Sequence, residues 1–277
     1  MKNQLQHIKI KTFTTEVGVS VSGLNLSYQV FGQRLGSAPV VLINHALTGN
    51  SNVAGEKGWW QDIVGKNKAI NTDVYTILSF NIPGNGFDEF LIDNYKDFIA
   101  RDVAKIFLEG LKVLKIEKLF ALIGGSLGGG IAWEMVVLNN KITKHFLPIA
   151  TDWKSTDWLI ANCQIQEQFL VNSSNPVHDA RMHAMLCYRT PESFKERFHR
   201  SKKEDSDIFD VESWLLHHGK SLQERYQLSS YKLMNQLLKT IDVTIGGLKS
   251  DEILDKVDAN IHIIGVDSDL FFTAEEN

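Results

Sequence analysis

Lys118-Leu-Phe-Ala-Leu-Ile123, Gly124-Gly-Ser-Leu-Gly128 and Gly129-Gly-Ile-Ala-Trp-Glu-Met135 follow one another without a break, and their reading decides the fold. A G-x-S-x-G pentapeptide alone recurs by chance in glycine-rich loops. Here a strand-like apolar run enters it and a helix-like run leaves it, the strand–turn–helix setting of a nucleophile elbow. A serine at so sharp a turn needs small neighbours to let the backbone pass close by. Ser126 therefore reads as a nucleophile rather than as an ordinary serine at a helix start.

The pattern repeats on either side of this stretch. Upstream, residues 8–30 alternate in short segments broken by Gly18 and Gly23, which predicts an opening antiparallel meander. Val40-Val-Leu-Ile43 and Val74-Tyr-Thr-Ile-Leu-Ser-Phe80 read as buried strands that open into polar loops. Asn94 with Asp97 resembles a capping pair. Beyond it Ile99, Val103, Ile106, Phe107, Gly110, Leu111 and Leu114 share one helical face. Downstream, His145-Phe-Leu-Pro-Ile149 is another buried strand. Strands alternating with helices predict an α/β fold with a mostly parallel sheet and crossover helices.

From about residue 151 to about 240 the alternation stops, and the chain becomes charged, aromatic and helix-periodic. Ile261-His-Ile-Ile-Gly-Val266 then reads as a strand again. The expected organisation is core (1–150), helical lid insertion (151–240) and second part of the core (241–277).

Composition excludes several classes. Of 277 residues 43% are hydrophobic and 22% charged, ordinary for a soluble domain. A net charge of −4 gives no general attraction to nucleic acid or acidic membranes. Two cysteines, Cys163 and Cys187, are too few for a disulfide framework. The amino-terminal segment lacks the apolar core of a signal peptide, and no run approaches membrane-spanning length. A cytoplasmic enzyme is expected. No Cys/His/carboxylate arrangement has metal-ligand spacing, and no cofactor is expected.

Further residues carry a family resemblance: His45-Ala-Leu-Thr-Gly49, the elbow, Ala180-Arg181 with Tyr188-Arg-Thr190, and Phe194-Lys-Glu-Arg-Phe198. Val211-Glu-Ser-Trp-Leu215 with Gly219, Glu224-Arg-Tyr226 with Ser230-Tyr231, and Ser268-Asp269 before Leu270-Phe-Phe272 extend it. With these the chain resembles the homoserine O-acetyltransferases of the α/β-hydrolase superfamily, from roughly residue 20 onward. The resemblance implies acetyl transfer from acetyl-CoA, a co-substrate, to L-homoserine in methionine biosynthesis, and a homodimer built through the lid helices. A serine carboxylester hydrolase is the alternative. Where the family carries a glycine–threonine–glycine–proline-like loop, this chain has Asn81-Ile-Pro-Gly-Asn-Gly86.

The roles follow residue by residue. Ser126 attacks the thioester. Leu127, the residue after the nucleophile, supplies one oxyanion N–H, and the family match points to Leu47 for the other. Asp269 is the triad acid by the family pattern, with Asp267 its rival. Arg181 takes the homoserine carboxylate and Tyr188 hydrogen-bonds nearby. Seven residues apart, the two would share one helix face. The alternative for this pair is an ordinary amphipathic helix. Lys195, Arg197, Arg200, Lys202 and Lys203 could draw CoA phosphates but read better as a solvated charge run.

The general base is the gap. The family's histidine lies in a Gly-His-Asp-like segment, and no histidine follows His262. The base is expected beyond Asn277, leaving the 277-residue chain catalytically impaired. His45, His217 and His218 are the alternatives, all preceding the acid against the usual order.

Overall fold

The computed structural model describes residues 4–204, 206–247 and 249–276, so the first three residues of the amino-terminal segment and Asn277 lie outside it. The chain opens with β1 (Gln6–Thr14) and β2 (Ser20–Gly32), then β3 (Val40–Asn44) and a two-stranded parallel ribbon, β4 (Val64–Gly65) and β5 (Ile70–Asn71). Next come β6 (Thr76–Phe80), α1 (Ala100–Val113), β7 (Leu119–Gly125), α2 (Leu127–Leu138) and β8 (Thr143–Ile149). Five helices follow: α3 (Asp157–Asn172), α4 (Pro176–Cys187), α5 (Pro191–Phe198), α6 (Asp210–Gln223) and α7 (Leu228–Lys239). α8 (Ser250–Leu254) and β9 (Asn260–Ile261) end the sequence of elements.

The main sheet has the order β1-β2-β6-β3-β7-β8-β9. β1, β2 and β6 pair antiparallel, and from β6 to β9 every pairing is parallel. β3, β6 and most of β7 are buried because both sheet faces are covered, which is why they read as unbroken apolar runs. On one face α1 packs Phe107 against Phe80 with ring centroids 5.1 Å apart. Phe31, Val41, Ile43, Ile77 and Ala121 form a second buried cluster on the other.

After β3 the chain pairs to one side, at β6, and then crosses to the other side at β7. This reversal opens a crevice at the carboxyl ends of β3 and β7, where α/β sheets carry their ligand sites. The loop after β3 and Ser126 after β7 both lie there.

Two local expectations need correction. Asn94 and Asp97 do pair side chain to side chain at 2.7 Å, but across a 3₁₀ turn, Tyr95–Asp97. The cap of α1 is instead Asp102, whose carboxylate accepts the Ile99 N–H at 2.9 Å. The run 261–266 does follow β8 in parallel as far as Ile264, with His262 N–H to Phe146 O at 2.8 Å, Ile264 N–H to Pro148 O at 3.0 Å and Ala150 N–H to Ile264 O at 2.8 Å, but as an edge strand and not a buried one. It follows β8 on the outer side, and the exposed Ile263 and Val266 gain no second neighbour.

Helices α3 to α7 leave the core after β8 and return through one neck. Ser155 N–H donates to Ile241 O at 2.8 Å and Val243 N–H to Trp153 O at 3.2 Å, an antiparallel stitch between entry and exit. Among the described residues no helix is long and apolar enough to cross a membrane.

Candidate active site

Ser126 sits at φ 53°, ψ −128°, a region that side chains other than glycine rarely occupy and that costs about 1–3 kcal/mol. Its surroundings hold it there. Ser126 N–H donates to Ile149 O at 2.9 Å, and its own carbonyl accepts from Gly129 N–H at 2.8 Å and Thr151 Oγ1 at 2.7 Å. A Cβ on Gly128 would lie 2.5 Å from the carbonyl oxygens of Asn44 and His45, so glycine there lets the β3 loop touch the start of α2. The Ser126 hydroxyl has no hydrogen-bond partner among the described residues, and the residue lines a cavity of about 380 Å³.

The same cavity is lined by Asp269, Tyr188, Arg189, Thr190 and Ser193. Asp269 is held by its Oδ1, which accepts the N–H groups of Phe271 at 2.7 Å and Phe272 at 3.0 Å. Asp267 is exposed and does not line the cavity, so of the two candidate acids only Asp269 shares a space with Ser126.

Tyr188 does not share a helix with Arg181: α4 ends at Cys187 and Tyr188 is its cap. The two still meet, with the Arg181 guanidinium 5.5 Å from the centre of the Tyr188 ring, a cation–π contact. The ring stands edge-on to Phe271 at 5.8 Å. Burial pushes the Tyr188 phenol pKa up, so it remains a donor at neutral pH. Arg181 has no carboxylate within 4.0 Å among the described residues; its charge is felt instead by Arg225 and His218.

The loop after β3 is fixed through His45. This ring is fully buried; its Nε2 accepts the Ile82 N–H at 3.0 Å and its Nδ1 donates to Ala46 O at 2.8 Å. Burial lowers its pKa to about 4. A neutral imidazole with both nitrogens occupied has no lone pair for a serine proton, so His45 is a structural tie and not a base. His217 and His218 are on α6, where His218 packs edge-on to Trp214 at 4.4 Å, and neither lines the Ser126 cavity. The N–H groups of Leu47 and Leu127 find no acceptor among the described residues.

Of the basic run, Lys202 pairs with Asp207 at 3.1 Å and Arg197 lies over Phe198 and Trp214. Arg189, Thr190 and Ser193 reach the cavity instead, a placement that sequence spacing does not signal. Asp152 was also illegible: just past β8, it is 3% exposed with Oδ1 unpartnered among the described residues. Burial, with Glu276 and Asp269 close by, raises its pKa to about 7. Among the described residues no group of three or more His, Cys, Asp or Glu side chains could hold a metal ion.

A serine on a tight turn after the central strand β7, an acid past the edge strand β9 and a helical insertion lining the same cavity have the arrangement of the α/β-hydrolase fold. The family described as alpha/beta hydrolase fold matches residues 39–157. The chain is also similar to homoserine O-acetyltransferases. The enzyme of that name from Salinibacter ruber is 25% identical over 98% of this chain and 86% of its own length. The one from Trichormus variabilis is 29% identical over 95% and 80%. Among solved structures, homoserine O-acetyltransferase from Staphylococcus aureus superposes with TM-score 0.85 at 24% identity, over 99% of this chain and 83% of that one. An acetylester hydrolase from Corynebacterium glutamicum superposes with TM-score 0.83 at 19% identity, over 99% and 83%.

Proposed function

We propose that this chain moves an acetyl group from acetyl-CoA to the hydroxyl of L-homoserine through an acyl-serine on Ser126, a step of methionine biosynthesis. The observation that carries the chemistry is the nucleophile elbow: a strained serine with an unengaged hydroxyl facing a cavity shared with an acid. The relatives carry the substrates. Ser126 Oγ bonds to the thioester carbonyl carbon, the C–S bond breaks, and the serine proton leaves on the released thiol. The homoserine hydroxyl then attacks the acyl-serine, and Ser126 regains its proton.

Each tetrahedral intermediate bears an oxyanion, and the unpaired N–H groups of Leu47 and Leu127 are its donors in this reading. Asp269, held by two backbone N–H groups, is the triad acid in this reading. Arg181, a guanidinium without a carboxylate partner, takes the acceptor's carboxylate, with Tyr188 beside it. The chain needs no resident cofactor in this scheme. We read the enzyme as a cytoplasmic homodimer joined through the insertion, where Leu186 and Leu216 are each 48% exposed. A monomer in sedimentation velocity at micromolar concentration would overturn that assembly.

Intact mass after incubation with acetyl-CoA and no acceptor tests the nucleophile. The expected result is one acetyl adduct on the wild type and none on Ser126→Ala; an adduct that survives the substitution overturns the assignment. The likeness to an acetylester hydrolase supports a second reading, a carboxylester hydrolase. Acetyl release to water as fast as transfer to homoserine would favour it.

A further inference from the structure

The loop that carries Leu47 is tied from two sides. From the core, Ala46 O accepts both His45 Nδ1–H at 2.8 Å and Gly49 N–H at 2.9 Å. From the helical insertion, the Tyr226 hydroxyl donates to Leu47 O at 2.8 Å and Arg225 Nη1 donates to Thr48 O at 3.5 Å. Three successive carbonyls, 46 to 48, are therefore held, and the Leu47 amide lies between the first two ties.

Tyr226 is anchored for this task. It lies between α6 and α7, is 9% exposed, and stands edge-on to Tyr231 at 6.0 Å. The Tyr231 hydroxyl in turn donates to Gln166 Oε1 on α3 at 3.3 Å. Burial pushes the Tyr226 pKa upward, so the hydroxyl keeps its proton. A hydrophobic ring would fill this place equally well. The hydroxyl adds one thing only, a donor aimed at the backbone of the loop after β3.

We propose that Tyr226 is a positioning residue for the oxyanion hole: by holding Leu47 O it restrains rotation at Leu47 from the far side, so that the peptide bearing Leu47 N–H, already tied through Ala46 O, keeps its direction. This rests on the acyl-transfer reading above, in which that N–H receives the oxyanion. Preorganised donors act only when aimed where charge develops, and small misplacements are expensive in rate. The insertion thus takes part in acylation of the serine itself, in addition to covering the site.

The test uses the full chain and Tyr226→Phe, which keeps the ring and removes the donor. First-turnover thiol release from acetyl-CoA should slow about 10- to 100-fold, with half-saturation in acetyl-CoA unchanged. Hydrogen exchange at the Leu47 and Thr48 amides should quicken while β3 keeps its protection. Arg225→Gln, at an exposed site, should act in the same direction more weakly. A purely structural role would instead lower the melting temperature and leave acylation per folded molecule unchanged, which overturns the proposal, as does unaltered exchange at Leu47. If the wild type forms no acyl-serine, the acyl-transfer reading fails, and exchange at Leu47 alone decides whether Tyr226 holds the loop.

Discussion

His45 shows how one buried side chain can serve the site without joining the chemistry. Its imidazole bridges the backbone of two loops, Ala46 and Ile82, in a single neutral tautomer. Protonation would turn the acceptor Nε2 into a donor facing an N–H. The folded pKa of about 4 lies below the ordinary 6.5, so the stabilisation is complete above pH 6.5 and is lost as pH falls through about 4. At 1.36 kcal/mol per unit the window amounts to about 3 kcal/mol. Chemical denaturation from pH 7 down to pH 4 should therefore show a steeper loss in the wild type than in His45→Asn, which cannot titrate. Parallel pH curves would remove His45 as the group responsible. The sequence made this residue conspicuous but not its role, because the partner at Ile82 lies 37 positions away in the chain.

The elements are held to one another by a buried ion pair where helices meet the neck of the insertion. Arg101 on α1 donates through Nε to Glu134 Oε2 on α2 at 2.8 Å, and through Nη2 to Val243 O at 2.9 Å. Glu134 Oε1 accepts the Asp242 N–H at 3.2 Å. Burial nevertheless raises the Glu134 pKa to about 7, so the guanidinium offsets only part of the desolvation. Removing Arg101 alone strands that carboxyl and three carbonyls, those of Asp242, Val243 and Ile245. Arg101→Met should lower unfolding free energy by about 3–5 kcal/mol, and Arg101→Met with Glu134→Leu should recover much of it. Equal losses in the single and double variants would show that packing alone holds the junction. Neither residue stands out in the sequence. α1 was legible because its apolar face repeats at helical spacing, and β3 and β7 because parallel strands covered on both sides read as apolar runs, whereas β8 is buried on one face only, at Thr143, Phe146 and Pro148. The stretch 261–266 misled for the same reason: its apolar residues look like a central strand, yet Ile263 and Ile264 remain 59% and 45% exposed. Burial on both faces is a property of neighbours, which a local run does not report.

On the scale of the whole molecule, the site divides its work between two bodies of structure. The sheet supplies Ser126 and Leu127, and the loops at its carboxyl edge supply Leu47 and Asp269, so in the proposed reading the groups that meet the acyl donor come from the core, with Tyr226 of the insertion holding one of them in place. The insertion supplies Arg181 and Tyr188, and it reaches the core through Tyr226 and Arg225. The core half was readable because the elbow is local in sequence. The insertion half depended on a family resemblance, since α4, α6 and the turn before α7 converge only after folding. This division predicts separable half-reactions. Arg181→Ala should still release free thiol from acetyl-CoA in the first turnover at close to the wild-type rate. Transfer to homoserine should weaken through a raised KM, because a charge-assisted contact to a carboxylate contributes about 1.5–3 kcal/mol, or roughly 10- to 150-fold. 3-Amino-1-propanol, which is homoserine without its carboxylate, should react equally poorly with both proteins. Unchanged homoserine kinetics in Arg181→Ala would reduce this arginine to packing for the Tyr188 ring, and a matching loss in thiol release would show that the insertion and the core do not act separately.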